Sequence, residues 1–284
     1  MIIDAHQHFW HFDPVRDAWI DDSMKVLQRD FLPVDLKPDL DANGVSGCVA
    51  VQADQSEAET HFLLQLAEKQ DFIKNVVGWV DLQAENVTER LDYFYQFGKL
   101  AGFRHIVQSE QDVNFLLRKN FCRGIAALER HDFTYDILVF PHQLGAVLEF
   151  VRRFPRQKFV IDHLAKPYIK DGYFDGWALL MREIAKAENV FCKISGMVTE
   201  ANWQQWQYAD FVPYLDVVTD SFGTDRLMFG SDWPVCLVAG SYGQVIGIVR
   251  QYFENFSSEE KTKVFGLNAL RFYERKNSFY VFGF

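Results

Sequence analysis

The chain has 284 residues, 49% of them hydrophobic and 24% charged, with a net charge of −10. That length supports one large core, and its acidic balance argues against a general nucleic-acid partner, because phosphate binding wants a basic face. No window approaches about 20 consecutive apolar residues, so no membrane span is expected, and Cys48, Cys122, Cys192 and Cys236 form no C-x-x-C pair, which fits reduced thiols in a cytoplasmic protein.

The first strand is expected over Ile2 to Phe9 in "MIIDAHQHFW". Alternating side chains would aim Asp4, His6 and His8 to one face. A proline-containing loop and a short helix lead to a second strand, Gly47 to Ala53, and a helix follows from Glu57 to Lys69. "KNVVGWVDL" reads as strand three and "ENVTERLDYFYQFG" as its helix, with Gly98 as the stop. "LAGFRHIV" is strand four, and Asp112 to Arg130 is one long helix. "FTYDILVF" is strand five, with a helix from Pro141 to Phe154. "QKFVIDHLA", "VFCKISGMV" and "DRLMFGSDWP" are strands six to eight, and a helix from about Ala209 to Phe222 precedes the last. Two terminal helices follow, the second opened by a capping box at Ser257 and Glu260.

Eight apolar strands alternating with helices imply a parallel sheet covered by helices, and eight units suggest a closed barrel. The expectation is a single-domain α/β (β/α)8 barrel of the TIM type over residues 1–284. Its tail, about 276–284, is aromatic enough to pack on the barrel or on a second subunit of a homo-oligomer. Neither G-x-G-x-x-G nor a P-loop is present, so no organic cofactor is expected.

Active sites of such barrels lie at the C-terminal strand ends, and every strand here ends in polar residues. They include His6 and His8, Gln52, Trp79, Arg104 and His105, Asp136, Asp162 and His163 with Lys166, Lys193, and Asp232 with Trp233. Each has a plainer reading. His105 and Asp162 read as hydrogen-bonded core residues, and in the adjacent pairs Arg104/His105 and Asp162/His163 one member should face outward. Trp10, Trp79 and Trp233 read as core before pocket. His6, His8, His163 and Asp232 differ as a set: three imidazoles and a carboxylate suit zinc or another divalent metal. They equally suit metal-free chemistry, with a carboxylate base and polarising imidazoles. A serine nucleophile fits poorly, since neither Ser195 nor Ser231 sits in G-x-S-x-G.

"DAHQHFW", "GFRHIVQ", "DHLAKP", "CKISGMVTEANW" and "RLMFGSDWPVC" together resemble the amidohydrolase superfamily, and within it the sugar-acid lactonases of the L-fuconolactonase and L-rhamnonolactonase kind. The resemblance implies opening of an aldonolactone ring to the free acid. It casts Asp232 as the base, His163 with His6 and His8 as metal holders or carbonyl polarisers, and Arg104 as a substrate or oxyanion contact. It places Gln52, His105, Lys166, Trp10, Trp79 and Trp233 around the substrate. The strand-five histidine of metal-rich members is absent, because Asp136 stands in that run; one zinc or none is therefore expected rather than two metals. The rival readings are decarboxylation or lactone opening on a cyclic or aromatic carboxylate, and a non-catalytic binding barrel.

Overall fold

The strands are near-continuous apolar runs such as "GCVAV" and "VFCKI", the pattern of strands covered on both faces. They are β1 (Ile3–Gln7), β2 (Gly47–Val51), β3 (Ile73–Gly78), β4 (Leu100–His105), β5 (Thr134–Ile137), β6 (Phe159–Ile161), β7 (Val190–Ile194) and β8 (Leu227–Phe229). In the computed structural model, which describes residues 1–275, they pair in parallel and in sequence order. The cylinder closes where Asp232 N donates to His6 O at 2.8 Å and His8 N donates to Trp233 O at 2.7 Å. The fold is a (β/α)8 barrel; the aromatic tail lies outside the described residues. Among those residues no helix is long and apolar enough to cross a membrane.

The helices are α1 (Pro33–Ala42), α2 (Glu57–Lys69), α3 (Val87–Tyr95), α4 (Lys119–Arg130), α5 (Leu144–Arg153), α6 (Asp175–Ile184), α7 (Tyr208–Phe222), α8 (Tyr242–Tyr252), α9 (Ser258–Thr262) and α10 (Asn268–Tyr273). Ser56 caps α2 by accepting from Glu59 N, and the capping box at Ser257 and Glu260 opens α9. The long helix expected from Asp112 is broken. Asp112 takes the Asn114 N–H and the Arg118 Nε–H, Arg118 is extended at ψ 136, and α4 starts only at Lys119.

Two apolar layers hold the barrel. The larger fills the space between sheet and helices. The smaller lies inside the cylinder, where Ile3, Val49, Val51, Val77, Val160 and Met228 meet Phe272 and Tyr273 of α10. Above this floor the interior turns polar, and the site begins.

Candidate active site

β1 does not carry Asp4, His6 and His8 on one face. Its register against β2 slips by one residue between Asp4 and Gln7, a bulge that reverses the alternation. Asp4 accepts instead from Ser231 N at 2.8 Å, Ser231 Oγ at 2.6 Å and Tyr242 OH at 3.1 Å. It anchors the turn after β8, and burial pushes its carboxyl up to about 6 against those hydrogen bonds. His6 and His8 face one another, with Nε2 atoms 3.3 Å apart. His8 Nδ1 lies 2.7 Å from Val51 O, a contact only a protonated Nδ1 can make.

After β6 the backbone runs left-handed through His163, Leu164, Ala165 and Lys166, at φ 54, 52, 58 and 49. That run cuts β6 to three residues and defeats the alternation rule. Asp162 turns down into the barrel, while His163 turns toward the cavity. Gly196 makes room for the imidazole: a Cβ there would lie 2.7 Å from His163 Cγ and Nδ1, and its φ is +63. His163 Nδ1 pairs with Ser195 Oγ at 2.9 Å. Asp232, at φ 59, leaves β8 so that Oδ1 lies 3.4 Å from His8 Nε2, 3.7 Å from His163 Nε2 and 3.9 Å from His6 Nε2. The structure thus brings His6, His8, His163 and Asp232 together.

Arg104 points inward from β4. Its Nη1 lies 3.1 Å from Asp162 Oδ2 and 3.2 Å from His6 Nε2, and its Nη2 donates to Gln52 Oε1 at 2.9 Å and to Gln52 O. Burial pushes the Asp162 carboxyl up, but Lys193, His6 and Arg104 outweigh it and hold it well below the usual range. Burial likewise opposes the charge on Asp232, and His163, His8 and Lys166 overcome it, so that pKa is also lowered. Burial lowers His6 and His163 well below an ordinary histidine, against the opposing pull of Asp162 on His6 and of Asp232 on His163.

A cavity of about 260 Å³ opens above this cluster. Its polar base is His8, Arg104, His163, Lys166 and Asp232; its apolar walls include Trp10, Trp19, Ile106, Leu138 and Val235. Four residues expected around the substrate lie elsewhere. Trp233 is 2% exposed and packs edge-on against Phe9 and Phe31, because the turn after Asp232 points it into the core. His105 alternates with Arg104 and so faces outward, stacked on Phe115, while its Nε2 lies 2.8 Å from Glu110 Oε1. Trp79 sits beside it, its Nε1 donating to His105 Nδ1 at 3.4 Å. Gln52 is fully buried; its side chain accepts from the Arg104 guanidinium and donates to Arg104 O.

Sequence reasoning missed Trp19, which reaches the cavity from a loop with no periodicity to flag it and meets Trp10 edge-on at 6.2 Å. It also passed over Glu200, whose Oε1 lies 3.2 Å from Lys166 Nζ at the cavity. Asp162, read as a core acceptor, is the hub of the buried charges.

The donor set fits one divalent cation. Ligand atoms held about 2.0–2.2 Å from a tetrahedral ion lie roughly 3.3–3.6 Å apart. His6 Nε2, His8 Nε2 and Asp232 Oδ1 are separated by 3.3 to 3.9 Å, and His163 Nε2 lies 3.7 Å from Asp232 Oδ1. Two fixed cations, Arg104 and Lys193, already flank His6, which suits one ion better than two.

A parallel eight-stranded barrel with a His-x-His pair at the end of β1, a histidine after β6 and an aspartate after β8 defines an amidohydrolase. The chain belongs to the amidohydrolase family, whose sequence profile matches residues 3–275. It is 42% identical over 282 residues to the L-fucono-1,5-lactonase of Burkholderia multivorans, covering 95% of each chain. It is 38% identical to the L-fucono-1,5-lactonase of Burkholderia ambifaria, covering 95% of this chain and 94% of that one. The crystal structure of an amidohydrolase from Burkholderia multivorans with bound zinc superimposes with a TM-score of 0.92 at 41% identity, covering 96% of this chain and 99% of that one.

Proposed function

We propose that this protein hydrolyses a sugar-acid lactone, L-fucono-1,5-lactone or a close deoxyhexono-lactone, to the free acid. The observation that carries the reading is the Asp232 carboxylate, ionised by its surroundings and facing three imidazoles at the base of a cavity sized for one sugar ring. The two lactonase relatives supply the substrate class.

A lactone is an activated ester, so its opening needs an activated water and a place for the carbonyl oxygen's developing charge. Asp232 takes the water proton, a role worth about 10²–10⁴-fold. His8 and His163 orient that water through their Nε2 atoms. Arg104 and Lys166 put positive charge on the cavity base, where the oxyanion and then the product carboxylate form. Trp10 and Trp19 offer flat apolar faces to the C–H side of the ring. Where a divalent cation, zinc first, is held by His6, His8, His163 and Asp232, it supplies Lewis-acid help at the lactone carbonyl. The rival carboxylate substrates suit the cavity less, because Arg104 is the one arginine among its lining residues.

The experiment is a pH-indicator assay of acid release from a panel of aldono-lactones, corrected for spontaneous hydrolysis, with and without chelator. Acceleration of a deoxyhexono-lactone supports the reading; no acceleration of any lactone ends it. Loss of turnover on chelation, restored by zinc, would assign the metal a required part.

A further inference from the structure

Ring opening turns a neutral lactone into a carboxylate, so fixed charges around the cavity treat substrate and product differently. Two cations stand at its base, Arg104 and Lys166. The donors of Arg104 are already engaged. Its Nε and Nη2 donate to Gln52 Oε1 at 3.3 and 2.9 Å, and its Nη1 donates to Asp162 Oδ2 at 3.1 Å. Lys166 differs. Its side chain keeps 17% exposure, and among the described residues Glu200 is its one ion-pair partner, with Oε1 3.2 Å from Nζ. An ammonium carries three N–H donors, so Lys166 is the cation with capacity left for an anion in the cavity.

Both loops are fixed by contacts other than this ion pair. After β7 a 3₁₀ turn runs over Val198–Glu200. Thr199 Oγ1 donates to Gly196 O at 2.6 Å, and Trp203 Nε1 donates to Thr199 O at 2.9 Å. Glu200 N donates to Met197 O at 3.2 Å, and Glu200 O accepts from Lys170 N at 3.0 Å, which ties this turn to the loop after β6. Lys166 ends the left-handed run, its N donating to His163 O at 2.7 Å. The two side chains therefore meet between anchored backbones, and the Glu200 carboxylate is a standing competitor for any anion that approaches Lys166 Nζ. Burial raises the Glu200 carboxyl, and the Lys166 ammonium opposes that rise.

We propose that Glu200 is a positioning residue that governs product release: it competes with the newly formed carboxylate for Lys166, and so favours the neutral lactone over its acid. The lactone offers Lys166 only carbonyl, ring and hydroxyl oxygens, which displace a carboxylate poorly. The acid offers a full negative charge, and with Glu200 removed it would hold the ammonium by a charge-assisted hydrogen bond. Glu200 thereby weakens the acid more than the lactone. The inference rests on the hydrolysis proposed above, because that reaction creates the anion.

The test is binding of sodium L-fuconate, the acid of the lactone named above, by isothermal titration calorimetry at about pH 7.5, well above the ordinary glutamate pKa. In Glu200→Gln the amide still offers Lys166 an acceptor of nearly the same shape, and near-ultraviolet circular dichroism checks the fold. This variant is expected to bind the acid about fivefold or more tightly than wild type. Glu200→Asp keeps the charge and should stay nearer wild type, and Lys166→Met/Glu200→Gln should lose the gain. A general loosening of the cavity would weaken the acid, not tighten it. In wild type the acid should bind more weakly than the KM for its lactone, and the reverse overturns the proposal without recourse to any variant. A folded Glu200→Gln that binds the acid no more tightly, or a gain that survives in the double variant, overturns it as well. The calorimetry involves no turnover: a working lactonase with no gain in acid affinity defeats this inference alone, whereas absence of lactone turnover defeats the activity proposed above.

Discussion

Gly196→Ala probes how tightly the site is built. The new Cβ would lie 2.7 Å from two atoms of the His163 ring and 2.9 Å from its Cβ, where ordinary contact begins at 3.4 Å, so the imidazole must retreat by about 0.7 Å. A left-handed φ costs a non-glycine residue about 1–2 kcal/mol, and overpacking adds about 1–3. The expected destabilisation is therefore about 2–5 kcal/mol, roughly 5–15 °C in Tm. Displacement of a reacting group by that distance should lower kcat about 10²-fold. Gly145 in α5 is the control, because a Cβ there meets nothing within 4 Å. Gly145→Ala should be neutral or stabilising by up to about 1 kcal/mol, with unchanged kcat. Differential scanning calorimetry and steady-state lactone hydrolysis check both variants. A Gly196→Ala protein with wild-type Tm and kcat would refute the packing argument.

Arg104→Met strips Asp162 of one buried cation and should cost about 3–5 kcal/mol in urea unfolding, with Arg104→Lys less damaging. Trp19→Ala removes a wall that is 45% exposed; KM should rise about threefold or more while kcat and Tm hold, as steady-state kinetics and a melting scan will report. Glu59 accepts from Ala53 N and Asp54 N, yet burial lifts its carboxyl from 4.5 to about 8. The unfolded chain then loses this proton at lower pH than the folded chain. The contribution of Glu59 to stability is therefore most favourable below about pH 4.5 and declines as pH rises toward 8. The Tm of Glu59→Gln relative to wild type should climb over that interval in a pH series of melts.

Much of the architecture was legible because it rests on local rules. Apolar runs alternate with helix-period segments, and the capping box at Ser257 and Glu260 opens α9 where the spacing places it. The polar strand ends marked the cavity face, since charge at the end of a buried strand needs a reason to be there. What failed was the alternation rule wherever the backbone leaves the regular strand. The bulge after Asp4 separates it from His6, and the left-handed run from His163 to Lys166 turns both Asp162 and His163 inward. Both depend on tertiary closure of the barrel, which no window of sequence contains. Trp19 was invisible for a related reason: a loop carries no period, and its aim is set by what it packs on. Lys193 and Asp136 stand in apolar strands, and only the closed cylinder shows that they neutralise one another across it.

The most direct measurement is the rate of L-fucono-1,5-lactone hydrolysis by wild type and Asp232→Asn, compared at equal folded concentration. The account predicts clear acceleration by wild type and a loss of about 10²–10⁴-fold in kcat for the amide, with Tm within a few degrees. A folded Asp232→Asn that keeps more than a tenth of the wild-type rate would contradict it, because the carboxylate facing three imidazoles would then not be the base.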